Sequence, residues 1–232
     1  MAHFTLIAFH QMDYSLKQDR SNPKSPIQRV RLGRPPANQA GEVNKRILDA
    51  ATSLFLEHGF GRTTFDQVAE LAHVGKTTLY SRFSSKEALF ESVVRQCVDT
   101  FVFNTKVEKV GGSLEERLIR VGTALAEATL TPYVISVMRI TLAETERFPE
   151  IARDAFRLGF SACAQRVMDA ITADCEPKNL PILASFSEQF VEMSLHPLYF
   201  HAFFGGDLLT LRQRIPQDMG RVARLLCQDI ER

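Results

Sequence analysis

The chain has 232 residues, 45% of them hydrophobic and 24% charged, the balance of a globular protein long enough to bury one large core or two small ones. No apolar run approaches the ~20 residues of a membrane-spanning helix, so no membrane partner is expected. Net charge is +1 but uneven: residues 1–95 hold 13 Lys/Arg against nine Asp/Glu, and residues 96–232 hold 15 against 18, which makes the N-terminal part the docking end for a polyanion.

The first ten residues lack the basic start of a signal peptide, and Met12 is an alternative first residue. The four cysteines, 97, 163, 175 and 227, contain no C-x-x-C pair. They read as buried thiols of a cytoplasmic protein, with Cys163 and Cys175 the candidates for a redox pair. The six histidines form no metal-ligand spacing, and neither a metal nor a cofactor is expected. Glu144 and Glu146, the nearest approach to a catalytic pair, lie two apart and do not share a helix face, so no enzyme is expected.

Residues 1–40 read as a flexible basic arm. From Asp13 to Ala40 there are four prolines and six Lys/Arg against two acids. Its "RVRLGRPP" run is slim and positive, and Arg29, Arg31 and Arg34 suit a narrow minor groove or phosphates. Beyond Gly41 the apolar spacing is helical throughout, with no strand alternation. Residues 41–102 form one expected domain and 103–232 a second. The first helix buries Val43, Ile47, Ala50, Ala51, Leu54 and Phe55 and stops at His58-Gly59, with Phe60 folding back on Phe55. Thr64 and Gln67 make a capping box for a second helix that buries Phe65, Val68, Ala69 and Ala72. A third helix spans about 76–83, with Leu79 and Phe83 inward, and Ser84 with Glu87 caps a longer fourth. Later helices are expected at 114–130, 132–148, 149–174, 180–204 and 217–231. Pro132 and Pro149 are first helical residues, and Pro197 kinks or breaks the helix that holds it.

The stretch "AHVGKTTLYSRF" (72–83) contains the Gly-Lys-Thr-Thr ending of a phosphate loop. Such a loop needs a second glycine five residues before Gly75, following a strand; Glu70 stands there, on a helical segment. The other reading is a helix-turn-helix. Lys76, Thr77, Thr78 and Tyr80 then form the exposed face of a recognition helix able to reach base edges, and Thr64, Tyr80 and Lys86 are placed for phosphates. A plain three-helix bundle with solvated polar faces has the same periodicity.

Residues from about Asn44 to Val94 resemble the DNA-binding region of TetR/AcrR-type regulators, through "RILDAA", "LFLEHGF", "TTFDQVAELA", "TTLYSRF" and "SKEALF" in order. Where the family usually has Gly-Val-Ser, this chain has His73-Val74-Gly75, which changes contact detail at the turn and the cap. "RITLAETERFPEIARDAF" (139–156) resembles the AefR-like branch. The resemblance implies an all-α protein: an N-terminal three-helix helix-turn-helix DNA-binding domain, then a helical ligand-binding and dimerisation domain. It implies a homodimer that binds double-stranded DNA at a near-palindromic operator as a repressor and is released by a small apolar effector. A helical protein-interaction module without specific DNA binding is the alternative. Candidate effector contacts are Phe101, Tyr133, Phe156, Phe160, Phe186, Phe190 and Met193. By the same analogy the dimer surface is expected on 186–204 and on the stripe of Val222, Leu225, Leu226 and Ile230.

Overall fold

The computed structural model describes residues 37–104, 111–172 and 180–230, which fall within one compact unit. The basic arm with Arg29, Arg31 and Arg34, and Cys175 of the expected redox pair, lie outside the described residues. Among the described residues the helical spacing becomes ten helices and no strand: α1 Ala37–Arg62, α2 Phe65–Leu71, α3 Lys76–Arg82, α4 Lys86–Asn104, α5 Leu114–Thr129, α6 Pro132–Ala143, α7 Pro149–Ile171, α8 Leu180–Ser194, α9 His196–Phe203 and α10 Leu208–Ile230.

Two apolar cores organise them. The first gathers Ile47, Ala51, Leu54 and Phe55 of α1, Val68 of α2, Leu79 of α3, and Leu89, Phe90, Val93 and Val94 of α4, and it also takes Val137 of α6 and Ala155 of α7. The second is built from α5, α7, α8, α9 and α10 around Leu118, Leu125, Val167, Phe190, Leu195 and Met219. Helix α4 belongs to both, since Cys97 packs in the first and Val98 and Phe101 in the second. The division expected between residues 102 and 103 therefore falls within a continuous helix.

Local signals set most helix boundaries. Gly59 interrupts α1 with φ 77° and ψ 168°, a backbone region open essentially to glycine alone. The break turns Phe60 back onto Phe55, ring centroids 5.7 Å apart. Thr64 and Gln67 form a complete capping box, and Ser113 with Glu116 forms another at α5. Prolines 132 and 149 open α6 and α7, where the missing N–H has no partner to lose. At α4 the capping hydroxyl is Ser85, which accepts from the Ala88 amide at 3.2 Å; the expected Ser84 sits one residue too early.

Two later boundaries differ from expectation, and the break expected from Pro197 is present. Helix α6 stops at Ala143 and leaves 144–148 as a tight corner before α7. The run 180–204 is two helices parted at Leu195, with Pro197 in the first turn of α9. Helix α10 starts at Leu208 and runs through Pro216. Asp207 caps it, its carboxylate accepting from the Thr210 amide (2.8 Å) and hydroxyl (2.6 Å). A mid-helix proline costs ~3 kcal/mol, and here the buried row Leu211, Ile215, Met219, Val222 and Leu226 offsets it. That row also corrects the expected dimer stripe: Val222 and Leu226 are consumed by the internal core, Leu225 is 47% exposed, and the Ile230 side chain lies outside the described residues.

The second core closes at Gly122 of α5. A Cβ there would stand 2.5 Å from the Met219 sulfur and 2.9 Å from the fully buried Phe190 ring. Gly122→Ala is therefore expected to destabilise the protein by about 1–3 kcal/mol through overpacking, read by denaturant unfolding. A loss under about 0.5 kcal/mol would mean that α5 is free to shift.

Candidate nucleic-acid interface and ligand cavity

Helices α2 and α3 make a bihelical unit whose turn is a Schellman motif. His73, with φ 52°, occupies the left-handed position; its amide donates to the Glu70 carbonyl (3.1 Å), and the Val74 amide donates to the Ala69 carbonyl (3.0 Å). Gly75 is the N-cap of α3 and contributes no side-chain bond. A phosphate loop is ruled out by this geometry, because the segment before Gly75 is a capped helix and no strand.

Leu79 anchors α3 inside, while Lys76, Thr77, Thr78 and Tyr80 are exposed. Two contacts steady that face. The Tyr80 ring lies 5.0 Å from the Phe65 ring of α2, and Lys76 Nζ donates to the Asp66 carboxylate at 2.7 Å. The Asp66 bond holds the Lys76 ammonium above its ordinary range, so the group stays charged and can exchange Asp66 for a polyanion. Thr64 is exposed, but its hydroxyl is the α2 cap.

Lys86 departs from its expected role. Its Nζ donates to the carbonyls of Phe60 (2.9 Å), Gly61 (3.3 Å) and Thr63 (2.8 Å) and stands 4.5 Å from the Phe60 ring centroid. An ammonium has three donors, and all three are engaged in closing the end of α1, which leaves none for phosphate.

The same Phe60 ring carries the junction to the rest of the protein. Phe148, from the α6–α7 corner, meets Phe60 at 4.9 Å and Phe90 at 6.2 Å. The Arg147 guanidinium lies 4.9 Å from the Phe60 ring and 5.0 Å from that of Phe148, and it reaches the Glu87 carboxylate at 3.9 Å.

Behind this corner is an apolar cavity of about 360 Å³ enclosed by α4, α6, α7 and α9, with Thr129 of α5 and Val191 of α8. Phe101, Phe156 and Phe160 of the expected set line it; Tyr133, Phe186, Phe190 and Met193 do not. Phe186 and Phe190 turn into the second core, and Met193 is 36% exposed. The α8 stripe was legible, but Val191, one residue off it, is what faces the cavity. Tyr133 packs on the first core, and burial pushes its hydroxyl up to about 12.

The polar lining was missed in the sequence. The Tyr199 hydroxyl donates to Thr129 Oγ1 (2.8 Å), which donates to the Leu125 carbonyl (2.7 Å). His196 stands at the Phe156 and Phe160 rings. Cys97 and Cys163 are buried free thiols, and burial pushes each up to about 12. The cysteines were read as buried thiols, but nothing in residue spacing marks Tyr199, Thr129 or His196, because Tyr199 and Thr129 stand 70 residues apart and meet only in the fold.

Residues 47–93 match the family of bacterial regulatory proteins of the tetR type, and residues 116–224 match the C-terminal domain of AefR-like transcriptional repressors. The chain is 33% identical over 130 residues to the HTH-type transcriptional regulator RutR of Escherichia coli (strain K12), covering 56% of this chain and 53% of RutR. It is 31% identical over 109 residues to the regulator YvkB of Bacillus subtilis (strain 168), covering 47% and 56%. The chain thus spans about half the length of the curated relatives it matches. Among solved structures, the flavonoid-responsive regulator FrrA superposes with a TM-score of 0.64 at 26% identity, over 82% of this chain and 97% of that one.

Two substitutions test the head. Lys86→Met is expected to cost about 2 kcal/mol of stability, since three carbonyls lose a charged donor, and to leave the salt slope of DNA binding unchanged. A slope lowered by about one unit with stability intact would return Lys86 to the phosphate contacts. His73→Gly is expected to stabilise by about 1 kcal/mol, by removing a side chain from a left-handed position; lowered thermal stability would contradict the assignment of strain there.

Proposed function

The chain belongs to the TetR family of bacterial regulatory proteins, a family of DNA-binding regulators and not of enzymes, and on that premise we propose that it is a homodimeric transcriptional repressor released by a small, largely apolar effector. The observation that carries this reading is the pairing of an α3 held by a Schellman turn and the buried Leu79, its Lys76, Thr77, Thr78 and Tyr80 exposed, with an apolar cavity lined by the next helix, α4. Lys76, Thr77, Thr78 and Tyr80 contact DNA in the major groove, with Arg29, Arg31 and Arg34 reaching the minor groove or backbone. A two-fold dimer requires a near-palindromic operator. Large side chains left in solvent on α8, at the end of α9 and on α10 (Met193, Phe204, Leu209 and Leu225) supply apolar surface for the partner copy. The protein acts in the cytoplasm, where its operator is.

Two routes lead from cavity to head. Helix α4 lines the cavity with Cys97, Val98 and Phe101 and begins at Lys86 and Glu87 beside the α1–α2 junction. Helices α6 and α7 wall the cavity and meet at Arg147 and Phe148, which rest on Phe60. An effector that prefers more widely spread α6 and α7 withdraws Phe148 from its seat. A tenfold change in operator affinity requires it to favour that arrangement by about 1.4 kcal/mol. The flavonoid response of FrrA supports a ring-bearing effector for this chain.

Selection of random duplex DNA by the purified protein at two salt concentrations tests the reading. One enriched palindrome is expected, with affinity falling steeply as salt rises and dropping further in Lys76→Ala. No enrichment by a folded protein would favour the protein-interaction alternative.

A further inference from the structure

The chemistry of the cavity wall narrows what it can hold. Among the described residues no Asp, Glu, Lys or Arg lines it, so an ionised group carried inside would lose its water without gaining a counter-charge from them. The deep hydroxyls are already satisfied: Tyr199 by Thr129, Thr129 by the Leu125 carbonyl, and Thr141 by the Val137 carbonyl at 2.9 Å. A site built to grip a polar ligand leaves donors waiting for it; this interior does not. The two thiols are no covalent trap, because burial keeps both protonated and the thiolate is the nucleophile.

One polar group is different. His196, in the first turn of α9, is half-buried with its ring 5.9 Å from Phe156 and 5.6 Å from Phe160. It has no hydrogen-bond partner among the described residues. Burial lowers its proton affinity, only partly opposed by Glu192, so the ring is neutral near pH 7 and offers one N–H donor and one bare nitrogen. Around it the entrance is apolar and solvent-facing, with Leu142 53%, Phe156 63% and Phe200 65% exposed.

We propose that the cavity takes an uncharged, ring-bearing molecule whose aromatic body fills the interior and whose single hydroxyl or carbonyl group hydrogen-bonds to His196 at the entrance. This rests on the effector-binding reading above and adds to it the ligand class and the residue that sets orientation. Interior shape and apolarity supply affinity, and His196 supplies discrimination.

The test uses the full chain and three molecules of one shape: biphenyl, 4-hydroxybiphenyl and biphenyl-4-carboxylate. Each competes with N-phenyl-1-naphthylamine, followed by fluorescence, which is uncluttered because the chain has no tryptophan. The hydroxyl compound should bind about fivefold more tightly than biphenyl, the worth of one net hydrogen bond, and the carboxylate at least ~50-fold more weakly than the hydroxyl compound. His196→Phe keeps the ring contacts and should erase the hydroxyl preference while leaving biphenyl unchanged. Gly159→Leu places a side chain where a Cβ meets nothing nearer than the Phe101 ring at 4.0 Å; it should take up part of the cavity and weaken binding of all three. The proposal is overturned if the carboxylate competes as well as the hydroxyl compound, if the hydroxyl preference survives in His196→Phe, if Gly159→Leu binds normally, or if none of the three binds. Failure of the operator selection would remove the regulator reading and leave these affinities standing, so the two failures are distinguishable.

Discussion

The structure depends on what surrounds one ring. Phe60 is fully buried where α1 ends, and it meets Phe55, Phe90 and Phe148 at 5.7, 5.2 and 4.9 Å. Lys86 and Arg147 add their cations to the same ring at 4.5 and 4.9 Å. Each aromatic pair contributes about 0.5–1.5 kcal/mol beyond its buried area, and each cation about 0.5–1 kcal/mol where it is partly exposed. Because Lys86 also ties the carbonyls of Phe60, Gly61 and Thr63, this cluster sets how α1 hands the chain to the Thr64 cap, and so where α2 and α3 point.

The second constraint is that no charged side chain among the described residues lines the cavity beside this junction. A core of this size normally fills itself; here α4, α6, α7 and α9 leave about 360 Å³ open, at the lower end of the ~300–1,000 Å³ typical of small-molecule sites. Arg139 of α6 donates to the Ala202 carbonyl at the end of α9, holding that wall in place from outside with a cation where the helix dipole favours one. Helix positions around the cavity are thus set by polar contacts at its edges, and its interior is left to apolar contact alone.

Much of the head was legible in the sequence because its determinants are local. The Thr64–Gln67 box and the Gly59 break with Phe60 on Phe55 are each written within a few residues, and each stands in the structure. The cavity was only half legible. Aromatic count pointed at α7 and α8, yet Phe186 and Phe190 serve the second core while Phe101, Phe156 and Phe160 line the cavity, because periodicity reveals a buried face without revealing what it is buried against. Lys86 was misread for a related reason. An exposed-looking lysine near a helix start resembles a phosphate contact until the three carbonyls at the end of α1, more than twenty residues earlier, are seen around it. The last helix was expected to start at 217 and starts at Leu208, since the cost of Pro216 inside it yields to a continuous apolar row on the same helix.

The claim that joins these parts is that Phe148 on Phe60 transmits the state of the cavity to the reading head. The most direct measurement is amide hydrogen exchange of residues 60–83 in the wild type, in Gly159→Leu with its cavity partly filled, in Phe148→Ala, and in the double variant. The account predicts that filling the cavity changes exchange in α2 and α3 when Phe148 is present and leaves it unchanged when Phe148 is alanine. An equal change with and without the Phe148 ring would contradict it and assign transmission to α4 alone.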